Sequence, residues 1–187
     1  MTKLNEFIRI LTGSFDNLEQ FRALQSQGVT DFPYAEHVNT VCNDKITGLP
    51  EGFPGVFMVE ESYYTRDGKT HAAPHLFLFT EEPEGVRLTS YEIPEGYHKT
   101  DFTYRQLKPV PYSRLHASEK FTPALYTQRD GVWEGGSVSM FSPVIRFNLA
   151  ERFSEQALAV SESMEVNGKR TFGYDVPIVY KRKPCVH

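Results

Sequence analysis

Cysteine is nearly missing from this chain: Cys42 and Cys185 are the only two in 187 residues. They form neither a disulfide framework nor a CxxC site, and read as free thiols in a reducing compartment. Long apolar runs are missing too. No stretch approaches the ~20 residues that a membrane span requires. The opening MTKLNEFIRILTG mixes charge into every turn, so it does not read as a secretory signal. The expected location is therefore cytoplasmic. A basic surplus is also absent, with 20 Lys and Arg against 24 Asp and Glu and a net charge of −4. Nucleic-acid binders normally carry excess positive charge to neutralise phosphates. The basic cluster YKRKP at 180–184 reads as a solvated strand end. Phosphate loops and nucleophile elbows are missing as well: there is no GxSxG, the serines at 137, 139, 142, 161 and 163 are scattered, and EGGSV lacks a downstream Walker lysine.

What the chain does have is aromatics, with 10 Tyr, 14 Phe and Trp133 making up 13%. Rings can shape an interior around a flat conjugated ligand, or simply fill a core. The length suits one domain, which runs over 1–187 with a helical part at 1–28 and barrel strands over 34–182.

Leu4, Phe7, Ile8 and Leu11 recur at helical spacing, with Thr2 placed as N-cap and Gly13 as the stop. In SFDNLEQFRALQSQG, Asp16 and Glu19 form a capping-box pattern. It predicts a second short helix that ends at Gly28. Beyond residue 30 the reading is β. GVFMVEESYY, HLFLFT, VRLTSYEI and VIRFNL are strand-length runs rich in β-branched and aromatic residues. RDGK, EEPEG, Asp130-Gly131 and Asn167-Gly168 supply the turns between strands. About seven to ten strands without βα alternation predict an antiparallel sheet. Such a sheet avoids exposed edges by closing into a barrel or stacking as a sandwich, and a barrel with the two N-terminal helices against it is the favoured form. The Pro- and Tyr-rich piece 94–123 is expected as an excursion within the same domain.

Two histidines, His71 and His75, flank Pro74 in HAAPHLFLFT. On an extended chain they stand roughly 13 Å apart, too far to share one metal ion. Consecutive Glu60 and Glu61 must face opposite ways on a strand, so one enters the barrel. A buried glutamate needs a partner, such as Arg87 or Arg146, or else serves as a proton donor. Along 157–165, Ala157, Ala159, Ser161, Ser163 and Glu165 share one face; Leu158, Val160, Glu162 and Met164 share the other. Either the lumen or the solvent suits the small, polar face.

LTGSFDNLEQ, FMVEES, WEGGSV and the closing FNLAERFSEQALAVSESMEVNGKRTFGYDVPIVYKR together resemble the CpcT/CpeT family of phycobilin chromophore lyases. FMVEES places Glu60 on that family's strand glutamate, and Gly168-Lys169, Phe172-Gly173, Pro177 and Arg182 fall in step with its closing pattern. The resemblance implies a mainly β fold: an antiparallel, calyx-shaped, lipocalin-like β-barrel with two short N-terminal helices, usually dimeric. It implies a barrel that holds an open-chain tetrapyrrole and attaches it to a cysteine of an acceptor protein, with basic residues meeting the propionates. Neither a metal nor a cofactor is required, the bilin being the ligand.

The chain departs from that pattern in places. The family's Pro-Tyr-Arg stands here as Pro74-His75-Leu76. The aspartate and arginine of its W-D-R-G-F-D segment fall on Ser161 and Glu162, its second acid survives as Glu165, and its G-K-G-C cysteine has no counterpart after Val138. The candidate catalytic residues are Glu60, Glu165 and His75. The candidate ligand-binding residues are Tyr63, Tyr64, Trp133, Ser161 and Arg146. A non-enzymatic carrier or sensor of a small hydrophobic or tetrapyrrole ligand, and a dimeric interaction module with a filled barrel, are the alternative readings. No nucleic-acid or membrane partner is expected.

Overall fold

The computed structural model describes residues 2–184; Cys185 lies outside them. In chain order the elements are α1 (Lys3–Leu11), β1 (Gly13–Asp16), α2 (Leu18–Ser26), β2 (Tyr34–Val41), β3 (Ile46–Thr47), β4 (Val56–Arg66), β5 (Lys69–Ala72), β6 (His75–Glu81) and β7 (Val86–Tyr91). They continue as β8 (Val110–Pro111), β9 (Ala124–Arg129), β10 (Val132–Ser142), β11 (Ile145–Phe153), β12 (Leu158–Val166), β13 (Lys169–Gly173) and β14 (Ile178–Arg182). Among the described residues, no helix is long and apolar enough to cross a membrane.

Three Asx-Gly pairs make the tight hairpins. Asp67, Asp130 and Asn167 each take φ of 51°, and the glycine that follows each is also positive. Positive φ at both central residues matches the twist of paired strands, which is why these pairs are favoured there.

Neighbouring strands pair in the order β11-β10-β9-β7-β6-β4-β2-β1-β14-β12, and β12 pairs back onto β11. The result is a closed, antiparallel, ten-stranded barrel with two helices. β5 extends the rim beside β4, and β13 does so beside β12. Register fixes which side chains face inward. His37 stands opposite Ser62, Asn39 opposite Glu60, Glu60 opposite His75, and Leu149 opposite Glu162.

α1 closes one end. The Thr2 side chain accepts from the Asn5 amide, as its sequence position predicts. Leu4, Phe7, Ile10 and Leu11 are buried. Phe7 packs its ring against Phe79, Tyr126, Trp133 and Phe153 at centroid distances of 5.2, 5.2, 5.1 and 4.9 Å. Asn39 and Arg182 donate to carbonyls at the C-terminal end of this helix, which ties the plug to the wall.

The capping box at α2 is not formed. Asn17 is the N-cap but makes no capping bond with its side chain. That side chain is buried, donating to the Pro33 carbonyl and accepting from the Ala35 amide. Asp16 accepts instead from the Leu18 amide.

A second core lies outside the barrel. Phe57, Val59, Leu76 and Leu78 face outward from β4 and β6 and are covered by Phe102, Leu107 and Leu115 of the 94–123 excursion. The parallel pair β3–β8 holds that excursion down. Strands buried on both faces read as near-continuous apolar runs, as GVFMV and HLFLF do.

Candidate functional site

Alternation along β2 points Ala35, His37 and Asn39 inward. On β4 it points Met58, Glu60, Ser62 and Tyr64 inward, since each pairs with an inward residue. β11 and β12 contribute Phe147, Leu149, Glu151, Val160 and Glu162 in the same way. The consequence is a small chamber of about 40 Å³ inside the barrel, lined by His37, Glu60, His75, Glu151 and Glu162 with Phe77 and Phe147 among its apolar walls. Three carboxylates thus converge where aliphatic side chains would be the ordinary filling.

Their charges are managed unequally. His37 Nδ1 lies 3.6 Å from a Glu60 oxygen, with both side chains largely buried. Burial alone would raise the Glu60 carboxyl. His37, His75 and the Ser62 hydroxyl outweigh it and hold the group below its ordinary value. His37 shows the complementary change: burial lowers it, but Glu60, Glu162 and Glu151 together raise it. The two form an ion pair inside the barrel. Glu151 is pushed up to about 7, first by burial and then by the Glu60 charge, although it accepts from the Tyr126 hydroxyl. Burial and Glu60 likewise raise Glu162. Glu162 has one side-chain hydrogen-bond partner among the described residues, the Tyr64 hydroxyl at 3.5 Å. A carboxyl tuned towards neutral pH can give or take a proton at little cost.

A groove of about 410 Å³ adjoins the chamber, away from α1. Val160 and Glu162 line both spaces. Tyr64, Phe172 and Tyr174 supply aromatic walls, while Arg66, Lys69 and His71, from β4 and β5, stand on the outer lip. The site is therefore cationic and exposed at its mouth, aromatic in the middle and acidic at its inner end. Pockets of this size and lining are the usual form of small-molecule sites.

Four of the sequence candidates border these spaces. Glu60 and His75 are cross-strand neighbours in the chamber, Tyr64 faces the groove, and Ser161 touches the groove rim. The other four lie elsewhere. Tyr63 faces outward and donates to Glu61. Arg146 and Glu165 are cross-strand partners on the outer surface of β11 and β12. Trp133 is fully buried beside the α1 plug and lines neither space. The counter-ion of Glu60 is His37, not an arginine: Arg87 pairs with Glu82 outside the barrel. Along 157–165, the inward face is the one bearing Glu162, and the small face looks out.

His37, Glu151 and Glu162 are the residues that single-motif reasoning passes over. Strand alternation in YAEHVNTV and IRFNLAERF does place His37 with Ala35 and Asn39, and Glu151 with Phe147, Leu149 and Phe153. A lone polar residue on an otherwise apolar face was the available signal for Glu151. Among the described residues, no group of three His, Cys, Asp or Glu side chains is spaced to hold a metal ion. No family model matches the chain, and no curated protein matches it.

Proposed function

We propose that the protein is a barrel for an open-chain tetrapyrrole or a similar flat chromophore, related in kind to the T-type bilin lyases. The observation that carries this reading is the graded site: a cationic lip of Arg66 and Lys69 beside His71, aromatic walls, and an inner carboxyl at Glu162. A linear tetrapyrrole is conjugated along its length, carries carboxylates on flexible arms and has N–H groups along one edge. Basic side chains at the mouth suit the carboxylates. Rings suit the conjugated face, and inner carboxyls suit the N–H edge. A barrel plugged by α1 at one end and grooved at the other supports the calyx reading that the resemblance implies.

As a lyase, the protein would present the chromophore to an acceptor cysteine, and its contribution would be positioning plus proton handling by Glu60, Glu151 and Glu162. The replacement of the family's Tyr-Arg pair by His75-Leu76 favours a second reading, a carrier that binds without attaching. The exposed strip of Val138 and Met140 on β10, with Val144 in the following turn, is the surface on which a homodimer of either kind would form.

Titrating the purified protein with biliverdin, phycocyanobilin and haem while following the visible spectrum tests the common part. A red shift or quenching is expected, and no change with any of the three rejects the tetrapyrrole reading. Adding an acceptor phycobiliprotein subunit and looking for zinc-induced fluorescence on a denaturing gel then separates lyase from carrier. Binding without a covalent product favours the carrier.

A further inference from the structure

The junction of groove and chamber is built around a carboxylate that lacks a strong partner. Among the described residues, Glu162 reaches only the Tyr64 hydroxyl, at the outer limit of hydrogen-bond distance. Glu60 is engaged by His37 at 3.6 Å, and Glu151 is engaged by Tyr126. Among the described residues, no lysine or arginine lines the chamber, so with His37 matched to Glu60 the carboxyls still exceed the cations. His75 does not make up the difference, because burial lowers it despite the Glu60 charge.

A second, independent observation points to an occupant. The His37 side chain is 3% exposed and lines the chamber; its Nδ1 faces Glu60, and its Nε2 has no hydrogen-bond partner among the described residues. Buried polar groups are ordinarily satisfied, so an unpartnered imidazole nitrogen in the same chamber as an underused carboxylate marks a site that expects polar company.

From this geometry we infer that the junction takes a protonated nitrogen of a flat conjugated ligand, with Glu162 as its ion-pairing partner. Ligands of this barrel then carry their acidic groups outward at Arg66 and Lys69 and a cationic nitrogen inward. The inference rests on the reading of the lumen as a ligand site and adds the chemistry of the ligand's inner end. Tyr64 would hold the Glu162 carboxylate in place as a positioning residue.

Proflavine, a flat dye with a protonated ring nitrogen and no acidic group, is the probe. Its binding is followed by fluorescence polarisation with the full chain, the Glu162→Gln variant and the Glu165→Gln variant, the last removing an outward-facing carboxylate. Wild type and Glu165→Gln are expected to bind alike, and Glu162→Gln about tenfold more weakly, the effect of losing one charge-assisted contact. Equal affinity in Glu162→Gln overturns the inference.

Should that variant fail to fold, wild type alone still decides. Proflavine stays cationic between pH 8 and 5, while Glu151, which faces Glu162 from β11, and Glu162 itself move towards their neutral forms; Glu60 on β4, held below its ordinary value, stays ionised. His37 on β2 can only gain charge, and Tyr64 and Tyr180 remain neutral. Affinity must therefore fall as pH falls, and a flat profile overturns the inference. If tetrapyrroles bind and proflavine does not, the inference fails while the proposed function stands. If proflavine binds through Glu162 and no tetrapyrrole binds, the tetrapyrrole reading fails and the charged-nitrogen site stands.

Discussion

At the closed end of the barrel, Phe7 sits inside a ring of Phe79, Tyr126, Trp133 and Phe153, fully buried. At the open end, Tyr64, Phe172 and Tyr174 stand around a groove edged by Arg66, Lys69 and His71. Both ends are rich in rings. The difference is what the rings face: at one end chiefly each other, with an internal helix supplying the last partner, and at the other end an open groove. Close-packed rings stabilise the fold. Rings around a void leave contacts unmade that a ligand can supply. The chamber lies between the two and carries the ionisable groups, which the α1 plug covers at the closed end.

Replacing Phe7 by alanine breaks the closed end and carries the largest expected effect. Loss of a fully buried ring among four aromatic partners should cost about 3–5 kcal/mol. Chemical denaturation with Trp133 emission as the probe measures it. A loss below about 1 kcal/mol would mean that α1 is not the plug.

Glu151→Gln addresses the chamber and comes next. Glu151 titrates near 7 in the folded chain against an ordinary 4.5. Between those values the unfolded chain is ionised and the folded chain is not, so wild-type stability falls as pH rises from about 4.5 to 7, then levels off. The neutral amide removes that fall. The variant should therefore gain on wild type by about 2–3 kcal/mol between pH 5 and pH 8, at about 1.4 kcal/mol per pKa unit. Parallel pH–stability curves would show that Glu151 is not perturbed.

Charge reversal at the lip, with Arg66→Glu and Lys69→Glu combined, should leave stability within about 0.5 kcal/mol. It should weaken biliverdin about tenfold, with the difference shrinking at high salt. Unchanged affinity would disconnect the lip from ligand carboxylates. His75→Phe is the mildest change. It keeps the stacked contact with Phe77, at 5.3 Å, and removes a polar group from the chamber. Ligand affinity should drop by about threefold to fivefold with the fold intact. If binding is unchanged, His75 serves only as the first residue of its strand.

Much of this architecture is readable from short-range signals. Asp-Gly and Asn-Gly between strand-length runs identify three hairpins because those turns need positive φ at both central positions. Thr2 and the Leu4-Phe7-Leu11 spacing identify α1 and its buried face. β1 was not readable: GSFD is only four residues long, lies between two helical patterns and has no alternation of its own. Yet it joins β2 to β14 and so completes the ring. Nor was the Asn17 role readable, since a residue placed to cap a helix instead bonds across to Pro33 and Ala35.

The site divides in the same manner. The Glu60-Glu61 pair announced that one carboxylate must point inward, and the β6 histidine lies opposite it because register follows from the hairpin. By itself the sequence determined the alternation of every strand, hence which residues could share the lumen. Only the tertiary structure decided which of two faces that was. In a strand such as β12, Ser161 and Glu162 offer solvent and lumen equally plausible partners, and ring closure onto β11 and β14 selected Glu162. The reason is physical: alternation has a period of two and no sign. The sign is set when a closed barrel gives each strand two fixed neighbours and one interior.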